Sequence, residues 1–407
     1  MSFSAPQNHQ SGGYPTGQFQ PTYPQQGAYP GQAPLPPQNG PQQGFPPSGP
    51  PPGQYQGGWQ QPPPPPPQGF YGHNPQGFGS TPTPSPGYDL NAPFPPGDAS
   101  RDAQALQSAM KGIGTNEKQL IRILSKPDPN QMRLLKNAYV SLPSQKTSLE
   151  IDIHKETSGH FRDGLMALVR GPLAQDVYLV NKAIDRPGTK ESFLNDVLCC
   201  RSNADIRAIK DLYHRTHKIS LEAHVSKDLS LKTKELFKMI LAANRAEESV
   251  PYDPVATDRD VSDLRRAMPE GDGKDQLTVC SILTSRSDNQ IRGIVHKYQQ
   301  ETGNSLSSAV SKKFSGHMKD ALILIIGRAS DPAMTTAEQL EATMKGLVTN
   351  DDLLVERVVR CHWDRAACDQ VKRAYRHRYA SDKKDLMSRI KSKTSGDYKN
   401  LMLACLE

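Results

Sequence analysis

Met110-Lys111-Gly112-Ile113-Gly114-Thr115 is the turn whose reading decides the fold, because three related turns follow it at long, similar intervals. They are Ile184-Asp185-Arg186-Pro187-Gly188-Thr189, Pro269-Glu270-Gly271-Asp272-Gly273-Lys274 and Met344-Lys345-Gly346-Leu347-Val348-Thr349. The matching positions Gly114, Gly188, Gly273 and Val348 are 74, 85 and 75 residues apart. A second marker travels with the first: Glu156 stands 42 residues after Gly114, Asp228 40 after Gly188, Lys313 40 after Gly273 and Lys393 45 after Val348. Two markers moving in step identify an internal repeat.

Around these markers the pattern is helical. Phe161, Leu165, Leu168 and Val169 recur at i, i+4, i+7 and i+8, and Met318, Leu322 and Ile325, then Tyr398, Leu401, Met402 and Cys405, repeat the stripe after later markers. Alternating β-branched runs bounded by turns do not recur. The expected fold is all-α, with neighbouring units completing one another's interior. The expected division is a tail over residues 1–98 and repeats over 99–172, 173–249, 250–332 and 333–407.

Composition changes sharply at the first of these boundaries. Residues 1–98 hold 27 of the 36 prolines and 13 of the 26 aromatics, no Lys or Arg, and only Asp89 and Asp98 as acids. Such a stretch buries too little apolar surface to offset ordering, so it reads as a disordered Pro/Gly/Gln/Tyr-rich arm with polyproline II tendency. All 49 basic residues therefore face 40 acids in the remainder, and a basic core favours anionic partners. The first ten residues have neither a basic nor an apolar run, which argues against a cleaved secretory signal. The longest strongly apolar run, Ala321 to Ile326, is far short of the roughly 20 residues a spanning helix needs. Cys199, Cys200, Cys280, Cys361, Cys368 and Cys405 lack zinc spacing and read as reduced thiols of a cytoplasmic protein.

The first turn carries the chemistry. Gly112 and Gly114 let the backbone take positive φ and turn several carbonyl oxygens to one side. Calcium takes six to eight hard oxygens in irregular geometry, so loop carbonyls, one carboxylate from a distant break and waters would suit it. Lys-Gly-x-Gly-Thr at 111–115 with Glu156 resembles the repeat signature of the annexin family, and Lys155-Glu156-Thr157-Ser158-Gly159 is similar to that family's carboxylate loop. The resemblance spans about residues 100–407. It implies four five-helix repeats in a curved disc, calcium as the bound ion, and acidic phospholipid membranes as the partner, reached from the cytosolic side. Matched residue by residue, it implies calcium ligation by the carbonyls of Met110, Gly112 and Gly114 and the carboxylate of Glu156, with a weaker accessory site at Thr115 and Glu117. A lipid phosphate would then displace a calcium-bound water.

The later copies depart from the signature. The second keeps Gly188 and Asp228 but has Arg186 and Pro187 in the turn, which puts its calcium site in doubt. The third has Lys313 in the acid slot, and the fourth has Val348 for the second glycine and Lys393 for the acid, so neither is expected to bind calcium. Lys111, Lys313 and Lys393 are instead candidates for direct contact with lipid phosphates. The tail resembles those of long-tailed annexins, which implies recruitment of a small calcium-binding protein or self-association. A calcium-independent helical scaffold is the rival reading. The chain has no HExxH, Walker loop or GxSxG, so an enzyme is not expected, and nucleic-acid binding has only net charge behind it.

Overall fold

The computed structural model describes residues 82–143, 145–184, 191–229, 231–379 and 385–407. Among them every regular element is a helix. The first repeat contains α1 (Ser100–Ala109), α2 (Glu117–Leu124), α3 (Pro129–Val140), α4 (Leu149–Glu156) and the first part of α5 (Gly159–Ile184). Gly171, at φ 75° and ψ 170°, breaks α5 just before Pro172, and the second part opens the next repeat. There α6 (Glu191–Leu198), α7 (Asn203–His217), α8 (Leu221–Asp228) and α9 (Leu231–Leu241) follow. The third repeat comprises α10 (Pro254–Ala267), α11 (Gln276–Ser285), α12 (Asp288–Thr302), α13 (Leu306–Lys313) and α14 (Gly316–Ser330). The fourth comprises α15 (Pro332–Met344), α16 (Asp351–His362), α17 (Arg365–Arg378), α18 (Leu386–Lys393) and α19 (Gly396–Leu406).

Local sequence explains why the helices start where they do. Ser148, Ser220, Ser305 and Asp385 each accept a backbone N–H at the start of the fourth helix of a repeat. Asp128, Ser202, Ser287 and Asp364 do the same for the third. Each cap satisfies a donor that the helix leaves unpaired and is worth about 1 kcal/mol. The fourth helices are eight residues long in every repeat and bury the same two positions: Leu149 and Ile153, Leu221 and Val225, Leu306 and Val310, Leu386 and Ile390. Their last residues are Glu156, Asp228, Lys313 and Lys393, so the recurring slot is always a helix C-terminus.

The interior is divided in two. One core joins residues of the first and fourth repeats, from Leu106, Leu120 and Leu165 to Leu354, Leu401 and Cys405. The other joins the second and third, from Val180 and Leu194 to Leu264 and Leu322. The stripe residues Leu165, Leu168, Val169, Leu322, Leu401, Met402 and Cys405 are wholly buried, as their spacing predicts.

Residues 82–98, which composition groups with the disordered arm, lie against these helices. Tyr88 is buried in the second core, and its hydroxyl donates to Asp176. Ser85 donates its N–H and hydroxyl to the two carboxylate oxygens of Asp205 at 2.8 and 2.7 Å. Arg133 of α3 donates to the carbonyls of Leu90 and Ala92. These anchors order the segment despite its proline content. The rest of the arm, residues 1–81, is outside the described residues.

Candidate calcium and membrane loops

Between α1 and α2 the chain makes the turn of residues 110–115. Gly112 and Gly114 take φ of 104° and 84°, a region that disfavours any residue with a Cβ. The Asn116 N–H donates to the Ala109 carbonyl at 2.9 Å and closes the loop, while the Asn116 side chain caps α2. The Thr115 hydroxyl then donates to the backbone carbonyl of Glu156 at 3.0 Å, clasping this loop to the end of α4. Thus the two segments that sequence spacing separates by about 40 residues meet.

Their chemistry fits a hard cation. Among the described residues nothing donates to the carbonyl oxygens of Met110, Gly112 or Gly114, and the exposed Glu156 carboxylate has no hydrogen-bond or ion-pair partner. Glu156 is also the last residue of α4, where the helix dipole presents partial negative charge, so a carboxylate there is opposed unless a cation joins it. Half-buried Glu117 opens α2 beside Thr115, at the end of a helix that favours an acid.

The other loops differ in instructive ways. In the second repeat, residues 185–190, including Arg186 and Gly188, fall outside the described residues; Asp228 ends α8, half-buried. In the third, Gly273 keeps a φ of 102°, but the Lys313 ammonium donates to the Gly271 carbonyl. In the fourth, Gly346 keeps 97°, and the Lys393 ammonium donates to its carbonyl at 2.8 Å. Lys111 is exposed on the first loop.

Two features here were not anticipated from sequence. Ile113 and Leu347, at the same loop position in the first and fourth repeats, are wholly exposed, and Val348 beside Leu347 is 83% exposed. A single aliphatic residue between glycines gives no periodic signal, and only the projecting loop shows that it stands free. The second is His160, Asp163 and Asp352, whose ligand atoms lie within 4.8 Å of one another. The Lys182 ammonium already supplies a positive charge there, 3.2 Å from Asp352.

All six cysteines are unpaired, and burial pushes the Cys200 thiol up to about 11 and that of Cys280 up to about 12, which keeps both protonated. Among the described residues no helix is long and apolar enough to cross a membrane.

The annexin family profile matches residues 101–168, 175–240, 259–325 and 335–405. Annexin C1 of Cryptococcus neoformans var. grubii is 34% identical over 313 residues, which cover 76% of this chain and 65% of that relative. Human annexin A13 is 34% identical over 311 residues, 76% of this chain and 95% of the relative. The solved structure of annexin III superposes with a TM-score of 0.70 at 27% identity, covering 77% of this chain and 95% of that one. Annexins are in general soluble proteins that bind membrane surfaces rather than enzymes. By these matches, on a fold of four five-helix repeats, the chain belongs to the annexin family, whose members bind phospholipid in a calcium-dependent way.

Proposed function

We propose that this chain attaches to acidic phospholipid membranes through a calcium ion held in the first-repeat loop. The carrying observation is the set of unclaimed oxygens there: three loop carbonyls, of Met110, Gly112 and Gly114, and the unpartnered Glu156 carboxylate at a helix end that disfavours it. A calcium ion held by these few protein oxygens would have coordination positions left over, open to water or to a lipid phosphate oxygen. Protein and lipid then complete one coordination sphere, so calcium and membrane raise each other's affinity by the same factor. Thr115 and Glu117 form the weaker accessory site, and Asp228, in the slot that corresponds to Glu156, is the carboxylate of a second-repeat site.

Ile113 and Leu347 add an apolar component. Both project fully from their loops, and transfer of one such side chain from water to the acyl boundary is worth about 1.5–3 kcal/mol. Lys111 adds charge that favours an anionic surface. Recruitment of a small calcium-binding protein, or self-association, through the N-terminal arm rests on composition and on the likeness to long-tailed annexins, as does a place on the cytosolic face.

The test is co-sedimentation with phosphatidylserine vesicles across a calcium titration. Glu156→Gln should remove most of the calcium-dependent fraction and leave binding in chelator unchanged. If that variant keeps the wild-type calcium midpoint, the assignment of the first loop is wrong, and the calcium-independent scaffold becomes the better reading.

A further inference from the structure

The slot at the end of the fourth helix is lysine in two repeats, and both lysines turn inward. Lys313 donates to the Gly271 carbonyl and Lys393 to the Gly346 carbonyl at 2.8 Å. In the repeat register both carbonyls correspond to that of Gly112, one of the proposed calcium ligands. The same contact is therefore made twice, by different loops. The third repeat also reproduces the other half of the clasp. Lys274 occupies the position of Thr115, and its ammonium donates to the Lys313 carbonyl as Thr115 donates to the Glu156 carbonyl. Lys274 lies 5.4 Å over the Phe314 ring, which fixes its stem. What the first loop lacks, and the other two possess, is a positive group between the slot and the first glycine's carbonyl.

Electrostatics favours this substitution. A cation at a helix C-terminus complements the dipole, whereas Glu156 at the same place opposes it. An ammonium carries three donors and can serve a carbonyl while others face solvent. Unlike an ion, it cannot leave.

We propose that Lys313 and Lys393 are tethered cations standing in the place of calcium, so that the third and fourth loops are formed in calcium's absence and meet anionic lipid without it. This rests on reading the first loop as a calcium site. The protein then carries one calcium-gated loop beside two that are permanently set.

Three equivalent amides report the state of each loop. Asn116, Asp275 and Asn350 donate to the carbonyls of Ala109, Ala267 and Thr343 at 2.9, 2.8 and 2.8 Å. Hydrogen exchange on the full chain, with calcium or with chelator, reads them separately. In the wild type the Asn116 amide should slow on adding calcium, while those of Asp275 and Asn350 should be slow in both conditions. Lys313→Met with Lys393→Met keeps an unbranched stem one atom shorter and removes the donors. It should speed exchange at Asp275 and Asn350 at least tenfold in both conditions, leave the calcium response of Asn116 intact, and lower chelator-phase binding to phosphatidylserine vesicles roughly tenfold or more. Lys313→Glu should make the Asp275 amide fast in chelator and slow in calcium. Unchanged exchange at Asp275 and Asn350 in the double variant would overturn the proposal, as would a Lys313→Glu chain that stays protected in chelator. An Asn116 amide that ignores calcium would instead count against the first-loop site. Lys393→Met alone gives the same reading for the fourth loop if the double variant folds poorly, with exchange in the core helices as the control.

Discussion

At Gly114 a Cβ would meet nothing within 4 Å, so only the backbone restricts what can stand there. Its φ of 84° costs a residue with a side chain about 1–2 kcal/mol. Gly114→Ala should therefore weaken calcium binding, measured by calorimetry with vesicles, by about tenfold. Because Gly114 is exposed and the loop can relax when no ion is bound, the melting temperature in chelator should hold. This is the part of the site that sequence discloses well: a glycine pair needs a reason, and the offset to Glu156 supplies one. Lys313 and Lys393 were legible as lysines in the acid slot and as candidate contacts for lipid phosphate, but not as donors to the carbonyls of their own loops. Sequence gives a residue's type and register, but whether a long side chain points to solvent or folds back on a carbonyl depends on the local loop. The exposure of Ile113 and Leu347 was hidden for the same reason.

Among the elements, the segment from Pro82 to Phe94 departs most from its composition. Gly87 sits at φ 82°, and a Cβ there would lie 2.5 Å from Pro172 Cγ and 2.6 Å from Pro129 Cβ, both in rigid rings. Gly87→Ala should lift the segment. Chymotryptic cleavage after Tyr88, slow while that ring is buried, should become rapid, and the melting temperature should fall by about 2–4 °C per kcal/mol lost. The helices themselves were readable, since capping residues and four-residue apolar spacing act within a few positions of one another. The docked segment was not. Its anchor is one tyrosine among many in a proline-rich arm, and the hydroxyl's partner, Asp176, is 88 residues away. That carboxylate already holds Arg201 at 2.6 Å and Arg360 at 2.8 Å, so three parts of the chain converge on it.

For the whole molecule, repeats pair first with fourth and second with third, a closure that no spacing in the sequence encodes. The joint between the two cores is polar: Arg357 bonds Asp196 at 2.7 Å, and Gln175 donates to Glu356 at 2.7 Å. Burial pushes the Glu356 carboxyl up to about 8, against the hydrogen bond from Gln175 and the charge of Lys182. A raised carboxyl binds its proton more tightly in the native state. Its contribution to stability is complete below the ordinary carboxylate range and is lost as pH climbs through about 8. Melting temperature should decline over that window, and Glu356→Gln, which stays neutral, should flatten the decline. The break in α5 carries a further consequence. Pro172 lies 13 residues beyond Gly159, about 20 Å along the helix from the end that meets Glu156. The docked segment meets Pro172 at Gly87, so a molecule held to a bilayer by its first loop would keep that part of the segment at the other end of the rod, about a helix's length from the lipid.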